Sequence, residues 1–235
     1  MAFISCREAS FAYDGKTVVE GLSFEVHRGD YLCIVGENGS GKTTLMKGLL
    51  GLSRPKTGSI ATGDGLKPTQ IGYLPQQTPA QKDFPANVYE VVLSGRLGSR
   101  GLMPFYSKRD RQIALANMEK LGISSIAKKS FRELSGGQQQ RTLLCRALCA
   151  TEKALLLDEP VAGLDPLVTS ELYKTIQSLS QEGITIIMIS HDIHSAVEYA
   201  SHILHLQNRQ VFFGPTEAYK LTYEGRQFLT GRGQP

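Results

Sequence analysis

The sequence has no tryptophan, only four cysteines, and no apolar run long enough to cross a bilayer. Its longest apolar runs, such as residues 184–189, have the length of a buried strand rather than of a membrane helix. Residues 1–7 lack a charged segment followed by an apolar one, so we expect no secretory signal. Any role at a membrane would therefore need a separate membrane partner.

Charge and cysteine use exclude further classes. The net charge is only +4, and lysine and arginine are spread along the chain, so no nucleic-acid partner is expected. The cysteines show neither a metal nor a disulfide spacing, and their apolar neighbours predict buried, reduced thiols of a cytosolic protein. They are Cys6, Cys33, Cys145 and Cys149. With 235 residues and 41% hydrophobic composition, the chain can form one domain with a subdomain.

Four histidines lie close enough in sequence to suggest a metal site: His191, His194, His202 and His205. His202 and His205 are three residues apart in a predicted strand, which would point them to opposite faces of a sheet. A shared metal is therefore disfavoured.

What the sequence does contain is a phosphate-binding loop. Residues 36–44 fit the pattern G-x-x-x-x-G-K-[ST], between a predicted buried strand at 31–35 and a predicted helix at 44–50. Glycines let successive N–H groups face a di- or triphosphate, and the helix adds the positive end of its dipole. Lys42 supplies a cation for the outer phosphates, and the Thr43 hydroxyl is suited to ligate the accompanying Mg²⁺. The predicted nucleotide-binding residues of the loop are Gly36, Asn38, Gly39, Ser40, Gly41, Lys42, Thr43 and Thr44.

Two adjacent carboxylates, Asp158 and Glu159, follow a predicted strand at 154–157, at the edge where ligands bind in parallel sheets. Adjacent acids are costly there unless a cation or polarised water compensates them. With a phosphate loop in the same sheet, we expect Asp158 to support Mg²⁺ through a water. Glu159 would align or deprotonate the water that attacks the γ-phosphate. His191 follows the strand 184–190 in the same way and could donate a hydrogen bond to the γ-phosphate.

Ser135, Gly136, Gly137 and Gln138 open a predicted helix, whose exposed N–H groups again suit an anion. One chain thus carries two phosphate-seeking helix ends but one complete nucleotide loop. A head-to-tail dimer would resolve this, because each nucleotide would be held by the loop of one subunit and the Ser-Gly-Gly end of the other.

The order of elements predicts an α/β fold. Residues 3–35 indicate short strands with turns, one of them at Gly21, and hence an antiparallel β layer. From residue 154 onward strand and helix alternate, which implies a parallel sheet with right-handed crossovers, and a hairpin follows at 203–213. Between these parts lies a helical insert. Its helices begin at two capping boxes, Asn87 with Glu90 and Ser107 with Asp110.

The insert carries an excess of basic residues between Arg96 and Arg132. They form either a solvated helical face or a surface for an anionic membrane. Its apolar loop at 101–106 either folds back on the core or contacts another protein.

In this order, the motifs resemble those of the ATP-binding cassette (ABC) family over nearly the whole chain. Residues 36–44 resemble its Walker A loop, 154–159 its Walker B segment, 134–138 its LSGGQ signature, Tyr13 its A-loop aromatic, Gln76 its Q-loop, Asp165 its D-loop and His191 its switch histidine. From the residues alone, Tyr13 is either a base-stacking ring or an ordinary strand-end aromatic.

The resemblance implies a P-loop NTPase core with a mainly parallel sheet, an N-terminal antiparallel β layer and a helical subdomain. Residues 1–235 would form a single nucleotide-binding domain, with a core at about 1–83 and 151–235 and the helical subdomain at about 84–150. It implies an ATPase that uses ATP and Mg²⁺. The implied roles are catalysis for Glu159, His191 and Gln76; Mg²⁺ binding for Thr43, Gln76 and Asp158; ATP binding in trans for Ser135, Gly136, Gly137 and Gln138; and a dimer contact for Asp165.

The resemblance also implies a cytoplasmic homodimer, peripheral on the inner face of the cell membrane through integral permease subunits, with an extracytoplasmic solute-binding protein in the complex. Within the family, the segments 83–85, 88–92, 95–96 and 138–141 resemble the zinc or manganese uptake branch. Importers of iron chelates or cobalamin share much of this pattern and are an alternative. A soluble cassette protein without a transport role is a second alternative.

Overall fold

The computed structural model describes residues 2–13, 16–76, 85–99 and 103–230. The strands are β1 (Ile4–Tyr13), β2 (Lys16–Val26), β3 (Tyr31–Val35), β4 (Thr57–Thr62), β5 (Ile71–Leu74), β6 (Ala154–Asp158), β7 (Thr185–Ile189), β8 (His202–Leu206) and β9 (Gln210–Pro215). The helices are α1 (Lys42–Leu49), α2 (Val88–Ser94), α3 (Lys108–Lys120), α4 (Gly136–Ala150), α5 (Pro166–Gln181), α6 (Ile193–Tyr199), α7 (Thr216–Leu221) and α8 (Tyr223–Leu229). None of the helices in these ranges combines the length and apolar character that crossing a membrane requires.

The chain divides into two compact units. The first combines residues 1–68 with 180–235, and the second consists of residues 69–179. The predicted division, into a core and a helical subdomain at 84–150, has different boundaries from these units. The predicted division stays a prediction.

The first unit contains the expected antiparallel β layer, in the order β2-β1-β4. Its strands are longer than predicted, and the turn expected at Gly21 is wrong. Gly21 lies inside β2 with φ +62°, and its N–H donates to the Ser10 hydroxyl at 3.0 Å. The β1–β2 register shifts on both sides of Ala9, so a bulge accommodates Gly21 within the strand.

The same unit holds a second sheet, in which β3 pairs in parallel with both β7 and β8. Every residue of β3 and β7 is buried, as expected for parallel strands covered on both faces. The predicted hairpin is confirmed, since β9 pairs antiparallel with β8. The opposite orientation of the two strand histidines is also confirmed. His202 stacks on Phe213. The buried His205 ring is instead hydrogen-bonded through Nδ1 to the Tyr219 hydroxyl at 3.0 Å.

The second unit pairs β5 in parallel with β6 and contains most of the helical part of the chain. Both predicted capping boxes are confirmed. Asn87 accepts from the backbone of Glu90 at the start of α2, and Ser107 accepts from the backbone of Asp110 at the start of α3. Gly122, at φ +68°, follows the end of α3 as a left-handed terminating residue.

The cysteines are all buried and free, as predicted. Burial raises the pKa of Cys6 to about 12 and also raises that of Cys33. These thiols are therefore protonated at neutral pH, and they pack as small apolar side chains.

A partly buried ion pair links the helices of the second unit. Arg96 Nε lies 3.0 Å from Asp110 Oδ1 at the start of α3, and Arg96 Nη1 donates at 2.7 Å to the carbonyl of Cys149 in α4. Asp110 is 7% exposed. The hydrogen bond from the Ser107 hydroxyl, followed by other contacts that include Arg96, lowers the pKa of Asp110 from 3.8 to about 2.

We expect Asp110→Ala to lower the free energy of unfolding by about 2–3 kcal/mol, because it removes the carboxylate half of the capping box and leaves Arg96 without its ion-pair partner. Glu119→Ala, on the exposed face of the same helix, is the control and should change stability by less than about 0.5 kcal/mol. Chemical denaturation measures both.

The difference between wild type and Asp110→Ala should also depend on pH. The Asp110 pKa is depressed in the folded state, so its stabilisation is complete above 3.8 and is lost as the pH falls towards 2. A difference that stayed constant over that range would contradict the assigned role of the charge.

Candidate functional site

The phosphate loop follows β3 and ends at the start of α1. Gly41 is the N-cap of that helix at φ +96°. A Cβ at Gly41 would lie 1.9 Å from Val19 Cγ2, and a Cβ at Gly36 would lie 2.2 Å from the carbonyl oxygen of Leu206. Neighbouring strands therefore approach the loop so closely that only glycine fits at these two positions.

Lys42 begins α1 and is 6% exposed. Its Nζ donates to the carbonyls of Gly36 and Glu37, each at 2.8 Å. These bonds hold the ammonium group over the loop, where the first N–H groups of α1 lack intrahelical acceptors. A cation and a helix N-terminus at one place make a site for an anion with several charges.

The other loop residues differ in accessibility. Asn38, Gly39 and Thr43 are exposed, and Thr44 is half-buried. Ser40 is 3% exposed, and its hydroxyl has no hydrogen-bond partner within the described part of the chain.

In the second unit, the carboxylates are positioned by the end of β6. Asp158 is the last residue of the strand and is buried. Glu159 follows with φ +49°, a region that non-glycine residues rarely occupy and that is common at functional sites. Gln76 Nε2 donates to Glu159 Oε2 at 3.0 Å. The sequence predicted Gln76 and Glu159 separately, and the structure brings them together.

Tyr73 is a residue of this site that the sequence analysis missed. Burial, and then the charge and hydrogen bonding of Asp158, raise the pKa of Tyr73. The Tyr73 hydroxyl therefore donates to the Asp158 carboxylate. A tyrosine in a short apolar strand was the only signal in the sequence, and it does not identify a partner.

The helix α4 begins as predicted. Ser135 is its N-cap, and its hydroxyl accepts from the N–H of Gln138 at 3.3 Å. The Gln138 side chain returns a hydrogen bond from the Ser135 N–H, also at 3.3 Å. The spacing of Ser135 and Gln138 already contained this capping box, which the sequence analysis did not identify. Ser135 and Gly136 are exposed, so the helix start is accessible.

Comparison with known proteins identifies the family. The sequence model described as ABC transporter matches residues 19–162. The chain belongs to the ABC transporter family. Glu159 and the LSGGQ segment lie within the matched range, whereas His191 lies beyond it.

Its relatives in the ABC family include subunits of metal transport systems. The manganese transport system ATP-binding protein MntB of Bacillus subtilis is 40% identical over 209 residues, which cover 88% of this chain and 84% of that protein. The zinc transport system ATP-binding protein AdcC of Streptococcus pneumoniae is 34% identical over 215 residues, which cover 89% and 92%. A solved inward-facing structure assigned to a metal-chelate type ABC transporter matches with a TM-score of 0.85 and 31% identity over 98% of this chain and 90% of the other.

These matches confirm the predicted family and the α/β fold of an ABC ATPase. The remaining motif residues of the family occupy element ends. Asp165 Oδ1 accepts from the Val168 N–H at 3.1 Å and so caps α5. His191 is exposed after β7, and the next residue, Asp192, caps α6. Tyr13 ends β1, and its side chain lies outside the described residues.

In this ABC protein, helix α4, which begins within the LSGGQ segment, also packs tightly against α5. A Cβ at Gly137 would lie 2.5 Å from Val168 Cγ1, whereas a Cβ at Gly136 would lie 3.4 Å from Leu164 Cδ2. Gly137 therefore has a packing role in addition to any contact with a nucleotide.

We expect Gly137→Ala to destabilise the protein by about 1–3 kcal/mol because of overpacking against Val168. Adding Val168→Ala should recover most of that loss, since it removes the methyl groups that clash. Gly136→Ala is the matched control and should leave the melting temperature nearly unchanged. Thermal unfolding of these three variants and of Val168→Ala alone is the measurement. If the stability losses of Gly137→Ala and Val168→Ala simply add in the double variant, Val168 is not the side chain that the added methyl group meets.

Proposed function

We propose that this chain is the ATP-binding and ATP-hydrolysing subunit of an ABC transporter that imports a transition metal ion, manganese or zinc. Family membership supports the ATPase assignment. The hydrogen bond between Gln76 and Glu159 is the observation that supports the catalytic assignment, because it holds the carboxylate of Glu159, whose backbone has φ +49°, in one orientation. The names of the relatives MntB and AdcC support the metal.

In this proposal the phosphate loop binds the phosphates of ATP. The backbone and helix start at Gly39–Thr44 donate to the phosphate oxygens, and Lys42 neutralises the outer phosphates. Lys42 would exchange its present bonds to two loop carbonyls for bonds to phosphate. Tyr13 stacks on the base, which contributes about 1–3 kcal/mol.

The donor set fits Mg²⁺, which prefers hard oxygen ligands. Thr43 offers a hydroxyl and Asp158 a carboxylate held by Tyr73. The amide nitrogen of Gln76 is bonded to Glu159, so its carbonyl oxygen faces away from Glu159 and can serve as the third ligand. When bound, the ion would neutralise charge on the outer phosphates.

Hydrolysis requires a water aligned with the γ-phosphate. Glu159 orients this water and accepts its proton, and Gln76 keeps the carboxylate in place. His191 donates a hydrogen bond to the γ-phosphate and stabilises the charge that develops there.

The second phosphate contact comes from another subunit. Ser135, Gly136, Gly137 and Gln138 form an accessible helix N-terminus, and the Ser135 hydroxyl uses only an acceptor position in its cap. Its proton can therefore be donated to a γ-phosphate. We assign this contact to a head-to-tail dimer, in which Asp165 lies near the subunit contact.

A permease would dock on the second unit. A cavity of about 390 Å³ opens there, lined by apolar side chains with Glu90, Ser94 and Arg146 at its polar positions. The apolar lining comprises Pro75, Ala86, Val91, Phe131 and Leu143. Because the cavity borders Pro75, which precedes Gln76, a bound permease helix would act directly on the residue that holds Glu159. In this proposal the subunit lies at the inner face of a membrane, and a solute-binding protein lies on the other side.

Import of an iron chelate or cobalamin is the second candidate. It is favoured by the similarity to the metal-chelate type transporter. The two candidates differ in the solute, which the permease and the binding protein hold, and not in the ATPase chemistry.

We expect Glu159→Gln to retain ATP affinity and to lose hydrolysis by about 10²–10⁴-fold, because the amide cannot accept the proton of the attacking water. ATP binding and phosphate release are measured on the same preparation. Glu152→Gln, at an exposed position before β6, is the control and should turn over ATP at the wild-type rate. Rapid hydrolysis by Glu159→Gln would exclude Glu159 as the catalytic base.

Deleting the gene should reduce accumulation of labelled manganese or zinc, and the wild-type gene but not Glu159→Gln should restore it. Uptake of both ions and of an iron chelate is compared in one experiment. Loss of chelate uptake alone would favour the second candidate function. Unchanged uptake of all solutes would contradict a role in import.

A further inference from the structure

The turn between β8 and β9 lies against the phosphate loop. The N–H of Asn208 donates to the carbonyl of Ser40 at 3.2 Å. The carbonyl of Leu206 is the oxygen that excludes any side chain at Gly36. This turn therefore contacts the loop near both of its ends, although residues 206–208 belong to none of the nucleotide motifs.

The side chain of Asn208 joins the loop to β2. Its Nδ2 donates to the carbonyl of Gly39 at 3.1 Å and to the carbonyl of Val18 at 3.0 Å. Its own carbonyl accepts from the Glu20 N–H at 2.9 Å. One residue thus makes four hydrogen bonds, two to the phosphate loop and two to β2.

These contacts set the direction of peptide groups in the loop. A trans peptide is planar, so its C=O and N–H point in opposite directions. Drawing the Gly39 and Ser40 carbonyls towards the turn directs the N–H groups of Ser40 and Gly41 to the other side, and the Ser40 N–H donates to the Glu37 carbonyl of the same loop at 3.2 Å. A loop that binds phosphate through its backbone needs its N–H groups oriented together in this way.

The contacts also fix the distance between the loop and β2. Val19, next to Val18, packs against Gly41, and β2 pairs with β1, which ends at Tyr13. Asn208 hydrogen-bonds to both β2 and the loop. It therefore maintains the distance between the phosphate loop and the β1–β2 pair, which carries the predicted base-stacking residue Tyr13.

We propose that Asn208 is a positioning residue for ATP binding: its amide holds the Gly39 carbonyl and β2 so that the phosphate loop is preorganised. This inference rests on the proposed ATP-binding function. Asn208 also has φ +57°, a conformation that asparagine and glycine tolerate well, so a purely conformational role is the competing explanation.

Asn208→Gly separates the two explanations, because glycine accepts the same φ and keeps both backbone hydrogen bonds while removing only the amide. Asn208→Asp is the second variant: it keeps the shape but places carboxylate oxygens against two carbonyl oxygens. Gln210→Ala is the matched control. Gln210 Oε1 accepts from the Ser23 N–H at 2.9 Å, so this variant removes a bond between β9 and β2 that does not involve the phosphate loop.

ATP and ADP dissociation constants, KM, kcat and the melting temperature without nucleotide are measured for each variant. We expect Asn208→Gly to raise the dissociation constants and KM by about 3–10-fold with little change in kcat, which is about 0.7–1.4 kcal/mol. Asn208→Asp should weaken binding at least as much. Gln210→Ala should bind ATP as the wild type does.

The proposal is overturned if Asn208→Gly binds ATP like the wild type, or if Gln210→Ala weakens binding equally. A fall in melting temperature with unchanged affinity would likewise make the amide a structural contact only. Failure of wild-type protein to bind ATP would instead reject the proposed function, so the two failures are distinguishable.

Discussion

A phosphate site that binds through backbone amides requires peptide planes that cannot rotate. In the first unit, β2, the end of β8 and the turn after β8 restrain the phosphate loop. Val19 packs on Gly41 and the Leu206 carbonyl on Gly36, so the loop has no room to rearrange at either end. Lys42 and Asn208 bind loop carbonyls, which orients the intervening amides. The loop is thus held by its surroundings as well as by its own Lys42, and a ligand would not have to supply the energy of ordering it.

Electrostatics imposes a second constraint at the end of β6. Two adjacent carboxylates there repel each other, and each has its own donor: the Tyr73 hydroxyl for Asp158 and the Gln76 amide for Glu159. The donors come from β5 and the residues after it, which β-pairing brings beside β6. Pro75 of the proposed docking surface directly precedes Gln76, so a shift of that segment would change the orientation of Glu159, the proposed catalytic carboxylate.

The residues at the start of α4 contribute to the stability of the helix and to the proposed recognition of a nucleotide. Ser135 and Gln138 satisfy the first turn of the helix, and Gly137 allows α5 to approach. The same small, polar residues leave the helix N-terminus accessible to an anion. Substitutions here would therefore affect both folding and the proposed nucleotide contact, unless a compensating change such as one at Val168 separates the two effects.

Features determined by neighbours within a few residues were predictable from the sequence alone. The strand-loop-helix order around residues 36–44, the capping boxes and the end of α3 at Gly122 depend on local hydrogen bonds and backbone preference. Gly21 was misassigned as a turn because a bulge and a turn have the same local signal. Contacts across the chain were not predictable. Gln76 meets Glu159 across 83 positions and Asn208 meets Gly39 across 169, and strand pairing and loop closure, which only the tertiary structure specifies, bring them together.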